Sequence, residues 1–76
     1  MTLKKQYERA NKLLSVIEEA GVIHLYDALD LAGICLTDWN QMKGWFLHKY
    51  LDGNHKLEYK YYDKTFRWCN PIITAT

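Results

Sequence analysis

A chain of 76 residues has the size of one domain and is too short to divide into two units with separate cores. Hydrophobic residues make up 49%, with three Trp and six Tyr among them, which is enough apolar surface to fold and excludes an intrinsically disordered chain. Ten Lys and Arg against nine Asp and Glu leave a net charge of +1, which by itself predicts no attraction to nucleic acid or to an anionic membrane, so the placement of the charges carries the information.

The opening residues, with Lys4, Lys5, Glu8 and Arg9, are charged where a signal peptide needs an apolar run, and no stretch approaches transmembrane length. The expectation is a cytoplasmic protein without membrane contact. Leu3, Tyr7, Ala10, Leu13, Leu14 and Ile17 recur at three- and four-residue steps opposite Lys5, Glu8, Arg9, Lys12 and Glu19, which predicts a helix over about 3–20. Gly21 closes it in the position of a helix-ending glycine. Val22 and Ile23 are β-branched and suit a short extended link able to pair with a later strand.

A second helix is expected over about 25–31, with Leu25, Ala28, Leu29 and Ala32 along one side and Asp27 in the first turn, where its charge suits the helix dipole. Gly33 breaks the pattern, and Ile34, Cys35 and Leu36 make a brief apolar turn. Thr37 is a natural N-cap for a third helix running to about residue 51. On that helix Trp39, Met42, Phe46 and Tyr50 fall on one side, the core side, whereas Thr37, Asn40, Gln41, Gly44 and His48 fall on the other. Trp45 and Leu47 border the polar side, and Val16 interrupts the polar side of the first helix. All three are candidates for a dimer contact.

Asp52, Gly53 and Asn54 suit a turn. Beyond it Leu57, Tyr59 and Tyr61 alternate with Lys56, Glu58 and Lys60, the chain reverses near Asp63 and Lys64, and Phe66 and Trp68 alternate with Thr65, Arg67 and Cys69. This predicts a hairpin over about 55–69, in which alternation assigns most of the aromatic residues, Tyr62 apart, to the core. Pro71 ends the ladder, and the tail 70–76 with Ile72 and Ile73 either docks or serves a partner.

Charge is uneven along the chain. Lys4, Lys5, Arg9 and Lys12 make the first segment basic, Glu18, Glu19, Asp27 and Asp30 make the second acidic, and Lys43, Lys49, Lys56, Lys60, Lys64 and Arg67 outnumber the acids thereafter. Cys35 and Cys69 stand too far apart to imply a disulfide framework. They make no close pair with His24, His48 or His55 of the kind a structural zinc site needs. Ser15 is the only serine and there is no glycine-rich phosphate loop, so no catalytic constellation, metal or cofactor is expected.

Helix, link, helix, turn at Gly33, helix and aromatic hairpin, in this order and at these lengths, resemble the winged helix-turn-helix family of small prokaryotic and archaeal regulators, over nearly the whole chain. The resemblance implies an α+β fold of three helices followed by a two-stranded β-hairpin wing. It implies that the third helix is a recognition helix for double-stranded DNA, and that the turn at Asp63 and Lys64 is the wing tip. Thr37, Asn40, Gln41, Gly44 and His48 are then the candidates for base contacts, since an Asn or Gln amide can meet adenine N6 and N7 together. Lys43, Lys49, Lys60, Lys64 and Arg67 are the candidates for phosphate contacts. Asp27 opposes this reading because it places a carboxylate where such helices approach phosphate. Family habit further implies a homodimer. The family also contains protein-binding modules without DNA binding, which is the alternative for this chain.

Overall fold

The computed structural model describes residues 2–53 and 57–69. Helix α1 spans Leu3–Ala20. Thr2 caps it, its hydroxyl oxygen accepting from the Lys5 N–H at 3.3 Å. Gly21 ends it at φ 80°, its N–H donating to the Ile17 carbonyl at 2.8 Å, a conformation that only glycine adopts without strain. Of the expected apolar stripe, Ala10, Leu13 and Ile17 are fully buried and Leu14 is half-buried. Leu3 and Tyr7 are exposed.

Strand β1, Val22–His24, leads directly into helix α2, Leu25–Ala32, one residue longer than expected. His24 is the N-cap of α2, its Nδ1 accepting from the Tyr26 N–H at 3.2 Å. Leu25, Ala28, Leu29 and Ala32 are buried, as the periodicity requires. Gly33 adopts the left-handed conformation at φ 72°, and the Ile34 N–H donates back to the Leu29 carbonyl at 2.9 Å. That turn drives Ile34 into the core, and the next helix starts immediately after it.

Helix α3 therefore spans Leu36–Leu47, and its N-cap is Cys35, which offers no side-chain bond. Its first backbone bond runs from the Trp39 N–H to the Cys35 carbonyl at 3.0 Å. Thr37 lies inside the first turn and does not cap the helix. The expected continuous helix 37–51 is also divided, because a π-helical segment, His48–Gly53, follows α3. The expected core side nevertheless holds, with Trp39, Met42, Phe46 and Tyr50 all buried.

Strands β2, Leu57–Lys60, and β3, Thr65–Trp68, form the hairpin across the four-residue turn 61–64. β3 is also paired antiparallel with β1, which gives a three-stranded sheet in the order β1-β3-β2. Residues 54–56 of the expected turn and hairpin, and the tail 70–76, lie outside the described residues. Ile23, Phe66 and Tyr59 stand side by side in register and share the inner face with Leu57 and Trp68. Val22, Glu58, Lys60 and Arg67 take the outer face.

Helices and sheet meet in an aromatic cluster. Phe46 packs on Trp39, Tyr50 and Phe66 at centroid separations of 5.6, 5.0 and 6.3 Å, and Phe66 packs on Tyr59 at 4.8 Å. Each such pair adds about 0.5–1.5 kcal/mol beyond the area it buries. Among the described residues no polar or charged side chain is buried, and no helix is long and apolar enough to cross a membrane. The result is an α+β fold of three helices and a small antiparallel sheet, with β2 and β3 as the hairpin, consistent with a winged helix-turn-helix layout.

Candidate nucleic-acid interface

Two contacts fix α3 against α1. Trp45 Nε1–H donates to Gln6 Oε1 at 2.6 Å, with the Tyr7 ring edge-on to the indole at 5.3 Å. Arg9 Nε lies 3.5 Å from Asp38 Oδ2; the buried Nε makes no hydrogen bond, so the carboxylate charge compensates it. Trp45 is thus half-buried and engaged inside the molecule. Anchoring on this side leaves the opposite side of α3 facing the hairpin.

Between them lies a groove of about 350 Å³. Asn40, Lys43, Gly44 and Leu47 form its α3 wall, and Tyr59, Tyr61 and Lys64 form its hairpin wall. Leu25 and Tyr26 of α2, with Leu36 and Trp39 of α3, complete its lining. A Cβ built on Gly44 would meet nothing within 4 Å, so no neighbour inside the chain requires the glycine. Lys43 makes no ion pair or hydrogen bond among the described residues.

The wing turn is held by α2. Lys64 has φ 53°, the left-handed region where a non-glycine residue is strained, and its carbonyl accepts from the Leu25 N–H at 2.7 Å. Its ammonium donates to the Tyr26 hydroxyl at 3.2 Å and sits 5.3 Å from that ring's centroid. Burial pushes the Tyr59 phenol above its ordinary range, while the Lys64 charge pulls it back in part. The turn places Tyr61 and Tyr62 outside, at 68% and 86% exposure, although alternation extended inward to Tyr61. Period-two alternation stops where the ladder stops, at Lys60.

The ten expected contact residues therefore divide. Asn40, Lys43, Gly44 and Lys64 come together in the groove. Thr37 and Gln41 are exposed on α3 outside its lining, and His48 and Lys49 belong to the π-helical segment. The Lys49 ammonium lies over the Tyr7 and Tyr50 rings at 5.4 and 5.6 Å, on the α1 side. Lys60 and Arg67 are on the outer face of the sheet, where Arg67 pairs with Glu58 at 3.3 Å across the strands. The apolar lining residues Tyr26, Leu36, Leu47 and Tyr61 had no place in the expected site. Tyr26 and Leu36 carry a signal in hindsight, since both are large and apolar yet fall off the core stripes of their helices, and they are 48% and 50% exposed.

Cys35 is exposed and Cys69 half-buried, both as free thiols. Among the described residues no group of three or more His, Cys, Asp or Glu side chains is placed to hold a metal ion. No protein-family model, curated protein or solved structure matches this chain.

Proposed function

We propose that this chain is a cytoplasmic winged helix-turn-helix regulator that binds double-stranded DNA in a sequence-dependent way. In this reading α3 enters the major groove, with Thr37, Asn40, Gln41, Gly44 and His48 toward base edges. One phosphate strand seats in the groove between Lys43 and Lys64, with Lys49 reaching a phosphate beyond it, while Lys60 and Arg67, on the outer face of the sheet, add only long-range attraction. The observation that carries the reading is the α3 wall itself, where an exposed amide, an unpaired lysine and an unobstructed glycine stand in succession opposite a lysine-bearing wing. Uncharged hydrogen-bonding groups suit base edges, and the flanking ammonium groups suit phosphate.

The test is fluorescence anisotropy of labelled duplex against salt. Three to five neutralised phosphates give a slope of about −2.7 to −4.5 in log K against log salt, with modest affinity because net charge is only +1. A flat, weak response removes DNA binding. A second reading, a protein-binding groove, is favoured by the apolar exposure of Tyr26, Leu36 and Tyr61 in the same lining. It expects that flat response.

A further inference from the structure

A second groove, about 490 Å³ in volume, runs between α1 and α2 and shares no lining residue with the first. Its walls are Lys12, Ser15, Val16, Glu19 and Ala20 of α1 and Leu31 of α2. The buried stripe of α2 is Leu25, Ala28, Leu29 and Ala32, so Leu31 points away from the core and stands 64% exposed on the groove rim. A single exposed leucine is ordinary. Here it lies in a concavity beside Val16 and Ala20.

The order of residues along α1 decides what fits. Lys12 and Glu19 are two turns apart, about 10 Å along the axis and within about 20° of each other around it. Ser15 and Val16 lie midway. Neither Lys12 nor Glu19 makes an ion pair or hydrogen bond among the described residues. The stripe therefore reads cation, two uncharged residues, anion, a pattern that is self-complementary when turned end over end. A parallel neighbour of the same kind would set like charges together, and a uniformly acidic or basic partner would meet one repulsive end.

We propose that this groove is the interface of a symmetric homodimer in which α1 packs antiparallel on α1 of a second copy. With the two-fold axis between Ser15 and Val16, Lys12 meets the partner's Glu19 and Glu19 meets the partner's Lys12. Ser15 lies against the partner's Val16 at the crossing. The two Leu31 side chains flank this centre and lose their contact with water, the charge pairs forming the rim. The α3 groove stays outside the interface, so the dimer forms with or without DNA.

Sedimentation equilibrium of the full chain tests this with three variants. Lys12→Glu and Glu19→Lys each replace two attractive pairs by two repulsive ones, and each is expected to raise the dimer dissociation constant roughly tenfold or more. The double variant, Lys12→Glu with Glu19→Lys, restores opposite pairing in the antiparallel arrangement and returns the constant to within about threefold of the original. Both substituted positions are exposed on the helix, so circular dichroism should report an unchanged fold for all three variants. Single reversals without effect, or a double variant that is not rescued, overturn the proposal. So does an unaltered chain that stays monomeric up to about 1 mM, including one that dimerises only after residues 70–76 are removed, since the chain's own tail would then occupy the groove.

Discussion

Gly44 and Trp45 are adjacent on α3 and are used in opposite ways. Trp45 is committed inside the molecule by its bond to Gln6, whereas Gly44 faces open space. A glycine inside a helix costs about 1 kcal/mol relative to alanine, and no positive φ or close neighbour in the chain repays it. Gly44→Ala is therefore expected to stabilise the protein by about 0.5–1 kcal/mol, a rise in Tm of several degrees, roughly 4–8 °C for the upper figure. If base edges approach the helix there, the same methyl group weakens duplex binding. Thermal melting beside anisotropy measures both signs. A variant that gains stability and keeps its full affinity takes Gly44 out of the interface.

At the scale of elements, α3 and the hairpin divide the work of the proposed complex, and their substitutions should differ in kind. Asn40→Ala and Gln41→Ala are expected to relax preference at the base pairs they contact, by about 1–3 kcal/mol of discrimination each. Lys43→Ala should weaken all sequences alike and lower the salt slope by about one. Lys60→Ala should do less, because Lys60 stands on the outer face of the sheet. Competition titrations with a panel of duplexes separate these patterns, and equal losses from all four substitutions would refute the division. The helix ends were legible because each rests on local chemistry: Gly21 ends α1, and Gly33 ends α2. The start of α3 was not, because Thr37 is the better cap in isolation. Burial of Ile34 instead brings the helix start forward to Leu36, capped by Cys35.

Over the whole molecule, stability converges on the place where sheet and helices share aromatic rings. Phe66 is fully buried, pairs with Ile23 and Tyr59 across both strand ladders, and touches Trp39 and Phe46. Phe66→Ala is expected to cost about 3–5 kcal/mol. A domain of this size has about 4–11 kcal/mol in total, so the loss should be plain in urea denaturation. A cost below about 1 kcal/mol would mean that the sheet is not held by this cluster.

The sequence alone determined the order of helices and strands and the inner set Trp39, Met42, Phe46 and Tyr50, because periodicity and turn residues act over a few neighbouring positions. It left open that Val22 and Ile23 could pair with a later strand, and the structure adds them to the expected two-stranded hairpin as the third strand of the sheet. Only the tertiary structure decided which polar residues share a surface. Asn40, Lys43 and Gly44 face Lys64 because Gln6 and Arg9 hold the other side of α3, and Lys60 and Arg67 are turned away by the register of β2 on β3. These placements depend on contacts between residues far apart in the chain, which no local pattern encodes.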